Sequence, residues 1–414
     1  MFAVSLLKGL RMPNLWSATH MTFNYSQGFI RRGLFGQMLR LFGPAIYRYN
    51  FMALLAVILF ALAVLATARL VRRTLAADAG DIGFPAMALV FAASPGVVFL
   101  AHEIGYLDYV GLIVVPLFIA WAARTRRRWL PFYAVMAISV VLALIHESMV
   151  IMFAPTMWLV MAAHIAREAS TRAPSRRALA AMFAHAGLVM LLGLVTSSLV
   201  GTLGTKTPAQ IHALEAAIGR VAAFPLRVDA FDALYRPVRD NLFTLMPWFW
   251  SMPANQRYLT SGLAVSLPGL IVLSVYALRL ITRLPLPRRW RLGLWMLFLL
   301  ATFSPQMLNL VGWDSARWNA ICFVASFSSV AVLRLFFVAP APARAVPAGG
   351  APGRYRIATP GMLVLAGAGI VVGLTADYPG FLFDGYVVQW FPFDRQLRGL
   401  VDLVRGGFTF MPRG

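Results

Sequence analysis

The stretch 51–70 reads FMALLAVILFALAVLATARL. Its single charged residue, Arg69, stands next to its end. A helix needs about 20 mainly apolar residues to cross the hydrocarbon core of a bilayer, because every backbone N–H there must find its partner within the segment. Similar apolar runs recur near 84–99, 107–122, 129–144, 149–165, 178–200, 260–281, 292–305, 320–338 and 360–375. Together they predict an all-α, polytopic transmembrane helical bundle of about ten spans, with short external amphipathic helices. The whole chain agrees: over 414 residues, 60% are hydrophobic, only 13% are charged, and the mean hydropathy is +0.73. A soluble domain carries about 25% charged residues. The runs are continuous rather than alternating, which argues against a transmembrane β-barrel.

The formal net charge is +22. In a soluble protein that would suggest nucleic acid. Here the arginines stand in short clusters beside apolar runs, as in cytoplasmic loops, so no nucleic-acid partner is expected. The clusters are Arg69/Arg72/Arg73, Arg124/Arg126/Arg127/Arg128, Arg167/Arg172/Arg176/Arg177, Arg279/Arg283/Arg288/Arg289/Arg291 and Arg344/Arg354/Arg356. An even number of crossings separates each from the next, so all fall on one side, expected to be the cytoplasm of a bacterial inner membrane. Of the 15 acids, only Asp78, Asp81 and Glu168 share that side. The acids were not used for the orientation, and they support it.

The map divides the chain into an external or interfacial segment 1–50, a transmembrane domain 51–375 and an external tail 376–414. The domain contains an external loop 201–258 and a cytoplasmic linker 339–359. Segment 1–50 holds Lys8, Arg11, Arg31, Arg32, Arg40 and Arg48 and no acid, against the positive-inside rule. Either a span precedes it, or its arginines are held outside for a function. The one cysteine, Cys322, lies in an apolar run and reads as a small buried residue.

Four external segments carry the candidate chemistry. In Gly28-Phe29-Ile30-Arg31-Arg32-Gly33, paired guanidinium forks suit phosphate or pyrophosphate, and equally a lipid head-group surface. His102-Glu103-Ile104-Gly105-Tyr106-Leu107-Asp108 joins two spans with almost no loop, so Glu103 and Asp108 stand at the membrane boundary, where carboxylates are paired or functional. In His146-Glu147, the acid stands alone among apolar residues, which would raise its pKa toward that of a general base. In Gly312-Trp313-Asp314-Ser315-Ala316-Arg317-Trp318, Asp314 and Arg317 share a helix face and can pair. Trp313 and Trp318 suit an interfacial belt or a sugar ring. The expected roles are catalysis for Glu147, Glu103 and Asp314. Substrate binding falls to Arg31, Arg32, Arg317, His102, His146, Asp108, Trp313 and Trp318. The His-Glu pairs could also hold Mg²⁺ or Mn²⁺, although neither has the spacing of a zinc motif. No phosphate-binding loop, dinucleotide fingerprint or serine-hydrolase elbow is present.

This layout resembles the multi-spanning bacterial proteins of glycan assembly, the GT-C glycosyltransferases and the EpsG/Wzy-like polysaccharide polymerases. The likeness rests on many spans, boundary acids and arginines on the outer face, a long external loop, and the Gly-Phe-Ile-Arg-Arg-Gly and Gly-Trp-Asp-x-x-Arg-Trp segments. It implies a polyprenyl-phosphate- or polyprenyl-diphosphate-linked sugar, a glycan acceptor and a periplasmic active face among membrane lipids. The family's first external loop carries a catalytic acid. Segment 1–50 has none, which would move that role to Glu103 or Glu147. The alternatives are a transporter or flippase, with breaks at Ser94-Pro95-Gly96 and Pro155, and a non-catalytic envelope-assembly scaffold.

Overall fold

The computed structural model describes residues 2–9, 12–77, 81–172, 175–312, 314–338 and 358–375. Most of the expected linker, the tail 376–414 and Trp313 lie outside the described residues. The chain is a helical membrane protein. Its helices are α1 (Phe2–Gly9), α2 (Leu15–Met21), α3 (Gly33–Leu39), α4 (Tyr49–Ala77), α5 (Gly83–Ala92), α6 (Pro95–His102), α7 (Asp108–Ala122), α8 (Leu130–Ile145) and α9 (Ser148–Arg172). They continue as α10 (Arg176–Leu203), α11 (Pro208–Gly219), α12 (Val228–Tyr235), α13 (Val238–Asp240), α14 (Met246–Ser251), α15 (Pro253–Thr282), α16 (Arg288–Phe303), α17 (Ser315–Phe337) and α18 (Pro360–Thr375).

Each of the ten apolar runs is helical. Six helices among the described residues are long and apolar enough to cross a membrane, and the bent pair α5–α6 makes a seventh. The others, α7, α8 and α18, have 15 or 16 residues. At 1.5 Å per residue they reach only about 22–24 Å, short of a hydrocarbon core of about 30 Å. The α5–α6 bend is 41°. Pro95 disfavours a helical Ser94, whose backbone is extended, and the helix restarts with Pro95 in its first turn. Pro155, the other expected break, lies inside the continuous α9.

Helix α17 is the axis of the bundle, with 89% of its apolar window buried. Gly96 of α6 and Gly269 of α15 face the Phe323 ring so closely that a Cβ on Gly269 would stand 2.7 Å from it. Small residues at such contacts let helices approach closely where lipid offers no hydrophobic drive. Near each end α17 carries one arginine. Arg317 is 7% exposed and Arg334 is fully buried. Their separation of 17 positions spans about 26 Å of helix axis, close to the depth of the hydrocarbon core. Arg334 donates to the Asp81 carboxylate and to the Tyr276 hydroxyl of α15, which itself donates to Asp81 at 2.7 Å. Asp81 also accepts the Gly83 N–H at 2.9 Å and so caps the start of α5.

Residues 12–47 and 204–235 form a cap at the end of the bundle away from the arginine-rich loops. Phe23 and Ile30 from the first part share a small core with Ile211, Leu214, Ile218, Phe231 and Leu234 from the second. The Arg31 N–H donates to the Gly204 carbonyl, and the Arg227 N–H to the Thr19 hydroxyl.

The buried pair yields a stability prediction. Arg334→Ala leaves the Asp81 charge uncompensated and should destabilise the protein by about 3–5 kcal/mol, whereas a double Arg334→Leu/Asp81→Leu variant should recover most of that loss. Thermal unfolding in detergent measures both. Equal stability of Arg334→Ala and wild type would show that Asp81 has another cation.

Candidate functional site

Arg32 reaches the site because its backbone turns into the left-handed region, with φ 64°. It is the only non-glycine residue with positive φ among the described residues. Such a conformation costs about 1–3 kcal/mol and persists where surrounding contacts fix it. On one side Gly33 admits the Tyr25 ring, since a Cβ there would stand 2.4 Å from it. On the other, the Arg31 backbone is seated on Gly204, where a Cβ would stand 2.3 Å from the Arg31 nitrogen.

The Arg32 fork closes on Glu147. Nη2 donates to Oε1 at 2.8 Å, and Nε is shared between both oxygens at 3.2 Å. Glu147 lies in the turn between α8 and α9, and its peptide carbonyl accepts the Ser197 hydroxyl of α10 at 2.8 Å. Arg31 is 3.9 Å from the same carboxylate and donates to the Arg236 carbonyl at 2.7 Å. Burial lowers the Arg31 pKa to about 10, although Glu147 opposes the shift. Burial, the largest influence, would raise the Glu147 carboxyl, but Arg32, His146 and Arg31 together outweigh it and hold the group well below the ordinary carboxylate range. This overturns the expectation of an isolated acid with a raised pKa. The sequence shows the apolar neighbours of Glu147 along the chain, and not the guanidinium that arrives from 115 residues away.

Two histidines line the pair. His20 Nε2 accepts from Arg32 Nη1 at 3.3 Å, and its ring centroid is 6.3 Å from that of His146. His146 Nδ1 accepts the Ser148 N–H at 3.3 Å, with the Ser148 hydroxyl 2.7 Å away. Burial first, and Arg32 second, lower both histidines well below their ordinary pKa, so both are neutral at pH 7. The 3.7 Å approach of His146 to Glu147 is therefore a polar contact rather than an ion pair.

An aromatic bridge leads from here to a second cluster. Trp16 packs on His20 at 4.1 Å between centroids and stacks on Tyr106 at 5.2 Å. The Arg317 guanidinium lies 4.9 Å from the Tyr106 ring centre, and Tyr106 hydrogen-bonds to Glu103. Arg317 takes Asp108 as its main partner, with Nη2 donating to Oδ1 at 2.7 Å and Nε to Oδ2. Asp314 is its second partner, at 3.5 Å. The expected local Asp314–Arg317 pair is present, and beside it stands a closer pair of Arg317 with Asp108, 209 residues distant. Asp314 keeps 31% of its side chain exposed. Burial raises its pKa, Arg317 opposes the shift, and the Asp108 charge adds to it.

Arg31, Arg32, Glu147, His146, Glu103, Asp108, Asp314 and Arg317, named from four separate segments, thus form one connected set. The remaining expectations concern Trp318, His102 and Trp313. Trp318 is 6% exposed and presses on Gly312, where a Cβ would stand 2.9 Å from its ring, so it is core rather than a sugar platform. His102 ends α6 with its ring 6.5 Å from that of Phe99. Trp313 lies outside the described residues. His20 and Trp16 were missed by sequence reading. Their one signal is the i, i+4 spacing that puts both rings on one face of α2. Lys206, also missed, lies over Gly28, its Nζ 3.9 Å from where a Cβ would stand. Among the described residues, no three His, Cys, Asp or Glu side chains gather as a metal-binding set.

Two predictions follow from this chemistry. Arg32→Ala should cost about 3–5 kcal/mol by stranding the buried Glu147 charge, and adding Glu147→Gln should restore part of it. A double-mutant cycle on unfolding in detergent reads the coupling, and additivity would refute the pair. The histidines set the second. Their folded-state pKa values are lowered, so below about pH 6.5 the unfolded chain binds protons that the folded chain refuses. Stability should be fully present above that pH and fall as pH drops through it. A His20→Asn/His146→Asn variant should show a flatter pH 5–7 profile, and an unchanged slope would assign the effect elsewhere.

No curated protein and no solved structure matches this chain. A family model described as uncharacterised membrane protein Rv1490 matches residues 2–212, which include Arg31, Arg32, Glu103, Asp108, His146 and Glu147. That match spans just over half of the 414 residues, and the chain belongs to this membrane-protein family.

Proposed function

We propose that this protein is a membrane-bound glycosyltransferase or polysaccharide polymerase. In this reading it moves a sugar from a polyprenyl-phosphate or polyprenyl-diphosphate donor to a glycan hydroxyl, at the periplasmic face of a bacterial inner membrane. The observation that carries the reading is the separation of charge across the Trp16–Tyr106 stack. On one side stand Arg31 and Arg32 with a single carboxylate, Glu147. On the other stand Asp108, Asp314 and Glu103 with a single guanidinium, Arg317. The first half is cationic and suits a phosphate. The second is anionic and suits proton removal from a hydroxyl.

Glu147 and Asp314 then take different roles. Glu147 is held ionised by Arg32 and positions that fork, so it is not the base. Asp314 is partly exposed, with its pKa raised from the ordinary aspartate value, which moves it toward the range of a general base. In the reaction, the Asp314 carboxylate accepts the acceptor hydroxyl proton as that oxygen bonds to the sugar's anomeric carbon. The bond from that carbon to the donor phosphate oxygen breaks, and the lipid phosphate departs with the electron pair. Arg31 and Arg32 stabilise the developing phosphate charge, as preformed cations in a dry site do efficiently.

A translocation reading draws on the bent α5–α6 pair and the buried Asp81–Arg334 pair at the opposite end. One experiment separates the two. Purified protein in lipid vesicles is given a radiolabelled polyprenyl-phosphate sugar and a glycan acceptor. Asp314→Asn should lower transfer by about 10²–10⁴-fold, the usual contribution of a general base, while donor binding persists. Arg31→Ala should weaken donor binding. Full transfer by Asp314→Asn, or lipid movement across the bilayer without transfer in wild type, would sink the transferase reading.

A further inference from the structure

Helix α17 carries a second polar feature, on a face that does not include Arg317. Ser315, Asn319, Cys322, Ser326 and Ser329 are spaced 4, 3, 4 and 3 apart. At about 100° per residue they fall within an arc of about 80° and run about 21 Å down the helix. Asn319, Cys322, Ser326 and Ser329 are all fully buried or within 1% of it. A polar stripe at this depth is costly unless its groups find partners.

The upper part of the stripe has partners, and they form a directed relay. Beyond α16 the backbone tightens into a 3-10 segment, Ser304–Leu310, which lies against α17. The Ser315 hydroxyl donates to Asn309 Oδ1 at 2.5 Å, Asn309 Nδ2 donates to Gln306 Oε1 at 2.7 Å, and Gln306 Nε2 donates to Asn319 Oδ1 and to Cys322 Sγ. The relay stops at Asn319. Its Nδ2 has no hydrogen-bond acceptor among the described residues, nor do the hydroxyls of Ser326 and Ser329 below it. On the buried face and end of α16, the Thr302 and Ser304 hydroxyls are in the same position. Five buried polar atoms on α17 and on the end of the adjoining α16, all without partners among the described residues, exceed what a folded protein ordinarily leaves unsatisfied.

A small ligand able both to donate and to accept would satisfy all five. Carboxylates and cationic side chains are absent from the stripe, and the groups are hydroxyls and amides spaced one helical turn apart. That chemistry fits water, which typically makes about three hydrogen bonds to such buried groups. We infer that the α16–α17 interface holds a file of bound water molecules, which enters beside Asp314 and Ser315 and continues the amide relay inward past Asn319 and Cys322 to Ser329. This goes beyond the transferase reading and does not depend on it.

The single cysteine reports on the seam directly. The S–H stretching band of Cys322 stands apart from other protein bands in the infrared, and its replacement by the S–D band follows contact with solvent. The purified full chain in lipid nanodiscs is transferred to D₂O, and the amide II band is followed at the same time. The expected result is that S–H exchanges to S–D while the protected core amides remain protonated, so water reaches Cys322 without helix unfolding. Thr302→Val with Ser326→Val, which fills the seam with methyl groups, should slow S–H exchange at least tenfold with the amide profile unchanged. An S–H band that persists as long as the core amides would overturn the inference. So would exchange that is indifferent to the double substitution. A single Thr302→Val variant, nearly isosteric, gives the same reading if the double variant does not fold.

Discussion

A guanidinium inside a bilayer-spanning bundle is tolerated only where a carboxylate is fixed to meet it. Helix α17 imposes that condition twice, at Arg317 and at Arg334, about 26 Å apart along one rigid axis. Asp108 meets the first from the start of α7, and Asp81 meets the second from the turn before α5. Such pairs add little net stability over apolar packing of equal volume. Their consequence is register. A slip of α17 by one residue turns both arginines by about 100° and takes each from its partner. Because Asp108 and Asp81 flank the α5–α6 bend, fixing α17 also fixes where the bend sits, and with it the turn that carries Glu103 and Tyr106.

The cap depends on that placement. The Tyr106 ring meets both Arg317 and Trp16, so α2 of the cap is seated on a ring that the bundle positions. Four residues along α2, His20 touches Arg32, which the left-handed turn directs at Glu147. The strained backbone at Arg32 is maintained by a bidentate charge-assisted pair, by the Gly204 seat and by the close fit of Gly33 on Tyr25. These are the over-determining contacts that allow strain to persist at a site.

The fold was largely legible in the sequence because span length is a one-dimensional property. A run of apolar residues marks a helix wherever its neighbours lie, and all ten runs are helical. The short helices were legible in the same way. Residues 129–144 number 16 and α8 also has 16, because the apolar run ends at His146-Glu147, where the chain turns. The site was legible as a set of segments, since charge at a membrane boundary is conspicuous. The pairings inside it were not. Asp314 and Arg317, three residues apart, do pair at 3.5 Å, but the closer partner of Arg317 is Asp108. His20 escaped notice because it lies in segment 1–50, where the arginines drew attention and no acid pointed to a site.

The same limit explains why sequence reading expected a raised proton affinity at Glu147. Two carboxylates in one site do different work only if their surroundings push their proton affinities apart. Apolar neighbours along the chain suggested that Glu147 was the acid pushed upward. In space it is the one with a whole guanidinium fork to itself. Asp314 shares its cation with Asp108, which holds the closer geometry, and the nearby negative charge of Asp108 disfavours a second ionised carboxylate. Division of one arginine between two aspartates, against two arginines for one glutamate, therefore helps set a carboxyl of raised proton affinity beside an ionised one. The tuning resides in burial and in the stoichiometry of the ion pairs, and both exist only once α7, α17 and the cap are assembled.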